Sequence, residues 1–208
     1  LLHMSPLSQR EIMGADCVPF TTNMETLIDE CKKVTPVDTP KLFERIWRGS
    51  MPGIVSGLYT DRNMYYSSYL STYVERDVRD ISGTVDALKF NRFITAVAAR
   101  TSQLLNYNAL AEDAEIDIQT AKAWVNILET LGIIFLLHPY SNNVLKRTIK
   151  TPKVYFYDTG LVCYLTKWSS PEVAESGAMS GALLENFTVS EIMKGYQNAG
   201  LEPYLYFY

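Results

Sequence analysis

Apolar positions recur at three- and four-residue steps along most of this chain, and they are most regular between Thr101 and Leu137. Leu110, Ala111 and Ala114 mark one face of a short helix, opened by the capping-competent Asn108. After an acidic turn, Asp117 is the expected N-cap of a second helix whose apolar residues are Ile118, Ala121, Trp124, Val125, Leu128 and Leu131. Gly132 stops it. Ile133 to Leu137 is then a short apolar run, and a Ser-Asn-Asn turn at 141–143 leads into Val144 to Lys150, so the two runs predict a hairpin. Two helices and a hairpin in this order predict a winged helix-turn-helix over 101–152.

The same spacing places helices elsewhere. Leu7 to Met13 reads as a short helix with Ser8 and Glu11 as its capping box, and Met24 to Val34 as a second. Leu42, Phe43, Ile46 and Trp47 share the face of a third, which Gly49, Pro52 and Gly53 break, the Pro-Gly pair acting as a turn. Asp61 to Ile81 is the most regular helix, with Tyr66, Tyr69, Leu70, Tyr73, Val74 and Ile81 on its apolar side. Its other face pairs Glu75 with Arg79 and Arg76 with Asp80 at i,i+4, each pair contributing roughly 0.3–0.5 kcal/mol at a surface. Val85 to Ala99 continues through Leu88, Phe93 and Val97, capped at Thr84 or Asp86, and is expected to pack beneath the helix-turn-helix.

Lys153 to Tyr157 is a β-type run and Leu161 to Trp168 a short helix, with polar residues through Ser176. Gly181 to Tyr196 is helical with Leu184, Phe187, Val189, Ile192 and Met193 facing inward, and Tyr204 to Tyr208 is a strand. The fold class is therefore mainly α with a small β component (α+β), in parts bounded at 1–40, 41–100, 101–152 and 153–208. The abrupt apolar opening and a closing strand with nothing after it to pair with predict a segment of a longer protein.

With 208 residues, 47% of them apolar, there is material for one or two cores. A net charge of -4 argues against a generic polybasic coat for nucleic acid and confines any such contact to a local patch. Cys17, Cys31 and Cys163 stand far apart and, with His3 and His138, offer no zinc spacing; they read as reduced thiols of a cytoplasmic protein. There is no apolar stretch of the ~18–20 residues that span a bilayer, so no membrane partner is expected.

The second helix of a helix-turn-helix enters the major groove, so its polar face carries the candidate chemistry: Gln119, Lys122 and Asn126, with Thr120 and Ala123 between them and Glu129 at the far end. The hairpin is better supplied with cations, having Lys146, Arg147, Lys150 and Lys153 beside Asn142 and Asn143. Arg76 or Arg79, on a rigid helix, suits a phosphate or a neighbouring subunit. Against these, Glu112, Asp113, Glu115 and Asp117 lie next to the recognition helix and would repel DNA. The 14 tyrosines sit mostly at core spacing and do not alternate with basic residues as stacking platforms do.

Several blocks of the chain resemble a known family. LFERIWRGSMPG, YYSSYLSTYVERDVRDI, ARTSQLLNYNALAEDAEI, VYFYDTGLVCYL and GALLENFTVSEIMKGYQNAGLEPYLYFY look like the region that follows the nucleotide-binding core in prokaryotic AAA-superfamily ATPases with a C-terminal domain of unknown function. LLHMSPLSQREIMG is similar to the closing strand and following helix of that core. The resemblance implies a parent that binds ATP and Mg²⁺ through an upstream P-loop, with the ATPase core of the same protein as a partner and an oligomer compatible with that architecture. This chain has no Gly-Lys dipeptide and hence no such loop, so it holds no cofactor of its own and no catalytic residue is assigned. The family's last part is similar to a restriction-endonuclease-like fold, of which only the helix bearing Glu185 is matched here; in such folds a helical glutamate contributes to a metal site, and one carboxylate does not hold Mg²⁺ alone.

Two functions from different classes follow. One is a winged-helix module coupling nucleotide state to double-stranded DNA. The other is a protein-protein scaffold that binds no nucleic acid.

Overall fold

Helix starts are written into this chain as capping side chains. Asn23, Asp38, Asp61, Asp86, Asp117 and Asp158 each accept a backbone N–H from the first turn of the helix that follows. The computed structural model describes residues 5–16, 18–74, 76, 78, 86–142 and 150–208. In chain order the helices are α1 (Gln9–Ile12), α2 (Met24–Lys33), α3 (Thr39–Arg48), α4 (Pro52–Val55), α5 (Arg62–Tyr69), α6 (Ala87–Ala99), α7 (Tyr107–Ala114) and α8 (Ile118–Thr130). Strands β1 (Ile134–Leu137) and β2 (Lys153–Phe156) come next, followed by α9 (Thr159–Leu165), α10 (Pro171–Ser176) and α11 (Ser180–Asn198). The architecture is mainly helical with one small antiparallel sheet, as the periodicity predicts. Among the described residues no helix is long and apolar enough to cross a membrane.

The sheet differs from the predicted hairpin. β1 pairs with β2 in the register Ile134↔Phe156, Phe135↔Tyr155, Leu136↔Val154 and Leu137↔Lys153, so among the described residues its partner is Lys153–Phe156. The reason lies in burial on both faces. Ile134, Val154 and Phe156 join the main core, while Phe135, Leu137 and Tyr155 pack on the other side against Met193 of α11. A run carrying Lys146, Arg147 and Lys150 has no two apolar faces to offer. Residues 143–149 lie outside the described residues, and the expected boundary at 152 falls between the two strands of this sheet.

The other edge of β2 is also occupied. Ser102 N–H donates to Val154 O (2.8 Å), Val154 N–H to Gln103 O (3.1 Å) and Leu105 N–H to Pro152 O (2.8 Å), so residues 102–105 run along β2 as a third, strand-like segment. Two residues further along, at Phe156, where that segment has turned away, the side-chain amide of Asn186 replaces it. Asn186 Oδ1 accepts from Phe156 N–H and its Nδ2 donates to Phe156 O, both at 2.8 Å. Thr101 Oγ1 is hydrogen-bonded to the same Oδ1.

The helix predicted over 61–81 does not run on as one α-helix: α5 ends at Tyr69 and passes into a π-helical turn, Leu70–Val74. Of its expected apolar face, Tyr66 and Leu70 are buried; Val78, not expected on that face, is buried too, and Arg62 with them. The Glu75–Arg79 and Arg76–Asp80 pairs fall outside the described residues. On α6 the core face is Phe90, Phe93, Ile94 and Val97, whereas Leu88 is exposed. Phe90 and Phe93 meet Trp124 of α8 edge-on at 5.3 and 5.2 Å, contacts that contribute roughly 0.5–1.5 kcal/mol each beyond their burial.

Smaller departures have local causes. The cap of α7 is Asn106, whose side chain accepts from Asn108 and Ala109 N–H, because the helix starts at Tyr107. Pro52 opens a short helix instead of a turn, its fixed φ fitting the first helical position. Pro171–Ser176, within the polar residues that follow Trp168, is helical behind a Ser170 cap. On α11 the buried stripe is Leu183, Asn186, Ser190, Met193 and Lys194, with Leu184 exposed. Of the Tyr204 to Tyr208 strand, Phe207 alone pairs with another segment among the described residues, exchanging hydrogen bonds with His138 O and Tyr140 N–H.

Candidate nucleic-acid interface

Asp117 fixes where α8 begins. Its carboxylate accepts from Thr120 N–H (2.9 Å) and Thr120 Oγ1 (2.5 Å), and the hydroxyl bond holds its carboxyl below the usual range. The turn between α7 and α8 is short because Glu115 adopts the left-handed conformation (φ 54). Ala121, Trp124, Val125, Ile127 and Leu128 then face the core. Gln119, Lys122 and Asn126 are exposed together on the opposite side, with Ala123 between them. Lys122 Nζ stands 5.8 Å from the centre of the Tyr107 ring, so a cation on the second helix leans over the start of the first. Ile118, expected inside, is 42% exposed at the head of α8.

The acidic side chains near this face are largely engaged. Arg92 pairs with Glu115 at 2.7 Å, Arg100 with Asp113 at 2.6 Å, and Lys89 Nζ donates to Glu115 O at 2.9 Å. Asp117 is spent on the cap. The repulsion expected from four carboxylates is thereby cut to Glu112 and the residual fields of the paired ones.

Of the hairpin cations, Lys146 and Arg147 lie outside the described residues, and Lys150 is exposed. Lys153 is turned inward: it pairs with Glu185 of α11 at 2.7 Å, and Tyr155 Oη donates to the same carboxylate oxygen at 2.7 Å. Burial raises the Glu185 carboxyl, and these two hydrogen bonds outweigh that and bring it below its ordinary value. Glu185 thus tethers α11 to β2. Among the described residues no group of three His, Cys, Asp or Glu comes together to hold a metal ion. Arg76 is exposed, and Arg79 is outside the described residues.

What sequence reasoning missed is the polar hub beneath α3 and α9. Asp158, buried, caps α9 through Gly160 N–H (2.9 Å) and also accepts from Ser50 N–H (3.2 Å) and Tyr66 Oη (2.7 Å). Arg62 Nη2 donates to Gly160 O at 2.6 Å, and Lys194, also buried, donates to Leu7 O (3.0 Å) and pairs with Glu191. The signal for Arg62 was its position four residues before Tyr66, on the buried face of α5.

Burial lifts the Asp158 carboxyl above its ordinary range, partly offset by the Tyr66 hydroxyl, the Gly160 N–H and the nearby Lys194 charge. A folded-state value above the unfolded one means folding favours the protonated acid. The stability it contributes is complete below the unfolded value and is lost as pH rises through the folded value. Asp158→Asn, which cannot ionise, is expected to remove that fall. Urea midpoints taken from about pH 4 upward should decline in the parent chain and stay flatter in the variant.

A family model, the domain of unknown function DUF8612, matches residues 39–172. Two curated proteins described as uncharacterized, one from Mycobacterium bovis and one from Mycobacterium tuberculosis, are each 26% identical to this chain over 151 residues. That alignment takes in 72% of this chain and 34% of each relative, so the chain spans about a third of their length. No solved structure matches it.

Proposed function

This chain belongs to the DUF8612 family of domains of unknown function, and we propose that its α6–β2 region is a winged helix-turn-helix that lays α8 against double-stranded DNA. The observation that carries this reading is the exposure of Gln119, Lys122 and Asn126 on one face of α8, backed by a fully apolar opposite face. The order helix, strand-like segment 102–105, α7, α8, β1, β2 supports it, because a third segment on β2 is how a wing is anchored beside a recognition helix. The sequence between β1 and β2 carries Lys146, Arg147 and Lys150, the cations that would meet phosphates. Within the longer parent, which the resemblance reads as a prokaryotic AAA-superfamily ATPase with ATP and Mg²⁺ bound elsewhere, this region would carry nucleotide state to the DNA.

The test is fluorescence anisotropy on a duplex of about 20 base pairs at roughly 50 and 150 mM salt. Lys122→Ala/Asn126→Ala is expected to weaken binding by about tenfold, and Lys146→Ala/Arg147→Ala to weaken it and flatten the salt dependence by nearly two phosphate contacts. Absence of binding at the lower salt would remove the reading. A second reading, a protein-docking surface, is favoured by the exposed apolar side chains of Ile118 and Leu104. It requires that neither double variant change anything while Ile118→Asp abolishes partner association.

A further inference from the structure

We infer that the cleft on either side of Arg62 is an anion site for a phosphate monoester, separate from the α8 face. Two hollows meet at Arg62 and Asn63. The larger, about 670 Å³, is walled by Trp47, Arg48, Tyr59 and Asp61; the smaller, about 400 Å³, by Tyr164, Lys167 and Trp168. Arg62 is only 9% exposed, and its guanidinium lies 4.2 Å from the centre of the Trp47 ring and 5.1 Å from that of Tyr66. One terminal nitrogen donates to Gly160 O at 2.6 Å and the other reaches Asn63 Oδ1 at 3.4 Å. Nε has no partner. No carboxylate pairs with this buried cation among the described ion pairs, an arrangement that is costly unless something else supplies the negative charge.

Trp168 repeats the pattern. Its carbonyl accepts from Trp47 Nε1 at 2.7 Å, but its own buried indole N–H has no acceptor among the described residues. Two donor-only groups at one cleft, both unmatched, call for a ligand made of acceptors. The charge count points the same way. Arg48, Arg62 and Lys167 line the two hollows with one acid, Asp61, whose carboxylate is already engaged as the N-cap of α5; the buried Asp158 acts on Arg62 from behind the Tyr66 ring and does not line either hollow. A dianion therefore fits better than a monoanion. Lys167 is held in the left-handed conformation (φ 63) with its ammonium 4.7 Å from the Tyr164 ring centre, a placement that keeps the cation at the rim. The aromatic walls, Trp47 and Tyr59 on one side and Tyr164 and Trp168 on the other, match a ligand whose phosphate is carried on a flat ring. They also bring aromatics and cations together in space that are far apart in the sequence.

The probe is phenyl phosphate, titrated into the intact chain and followed by tryptophan fluorescence, since Trp47 and Trp168 both line the cleft. Saturable quenching is expected, with benzoate, the monoanion on the same ring, binding about tenfold more weakly, the difference expected of one charge-assisted contact. Arg62→Lys keeps the charge and loses the planar fork, so affinity should fall about tenfold. Because Arg62 is buried, Lys167→Gln, at an exposed position, serves as the variant that leaves the fold intact, and Arg48→Gln, which also gives up hydrogen bonds to Ile54 O and Val55 O, is read beside its circular dichroism spectrum; each should weaken phenyl phosphate several-fold more than it weakens benzoate. Inorganic phosphate binding as tightly as phenyl phosphate would keep the anion site and overturn the aromatic part. No saturable change in the folded chain, or equal affinity in Lys167→Gln and Arg48→Gln, would overturn the proposal. Loss of duplex DNA binding with phenyl phosphate affinity retained would sink the α8 reading alone.

Discussion

Gly160→Ala is expected to destabilise this protein by about 4 kcal/mol or more, or to prevent it from folding. A Cβ at Gly160 would lie 2.6 Å from Gly49 Cα and 2.8 Å from Arg48 O. Those are backbone atoms, which cannot swing aside as a side chain would, so α3 and α9 must move apart. The movement would break the Gly160 N–H bond to Asp158 and the Arg62 bond to Gly160 O together. Gly49 admits no rescue, since its φ of +81 suits glycine and its own Cβ would meet Gly160. Gly181→Ala is the control: it sits in α11 with open space around it and should be neutral or slightly stabilising. Urea unfolding followed by circular dichroism reads both. A Gly160→Ala loss below about 1 kcal/mol would mean that α3 and α9 are not locked at this point.

Asn186→Ala is expected to cost about 3 kcal/mol, because one side chain satisfies both polar groups of Phe156 and deleting it leaves two buried backbone groups unpaired. The Thr101 hydroxyl loses its partner as well. The specific signature is local: hydrogen exchange at the Phe156 amide should accelerate far more than at Phe135, which remains inside the β1–β2 pair. Equal protection in the variant would show that water substitutes for the amide at no cost.

The helix pair at 107–130 was legible in the sequence because its signals are local. Asp117 caps within three residues, and Ala121, Trp124, Val125 and Leu128 keep the helical period. The partner of β1 was not legible, since it lies across a connection of fifteen residues (138–152) and was decided by burial on both faces of the sheet. On α11 the existence of the helix could be read but its inward face could not. Apolar residues occur around much of its circumference, and the sheet edge selects the side carrying an amide. Arg62 illustrates the same limit. A cation on the apolar side of a helix breaks the pattern rule, and its surroundings, Trp47, Gly160 and Trp168, come from three other parts of the chain. The exposed face of α8 was read correctly as a surface, whereas Glu185 and Lys153, read as separate chemical candidates, neutralise each other.

Leu137 and Lys153 are register partners in the sheet, so the chain leaves and re-enters a rigid frame at adjacent points. Whatever spans that gap can therefore lengthen at little thermodynamic cost, since doubling a closed loop adds only about 0.6 kcal/mol of entropy. The connection can be extended without disturbing the sheet it joins, and a dye or affinity tag inserted between Ser141 and Thr151 should report on ligand approach while the scaffold melts as before.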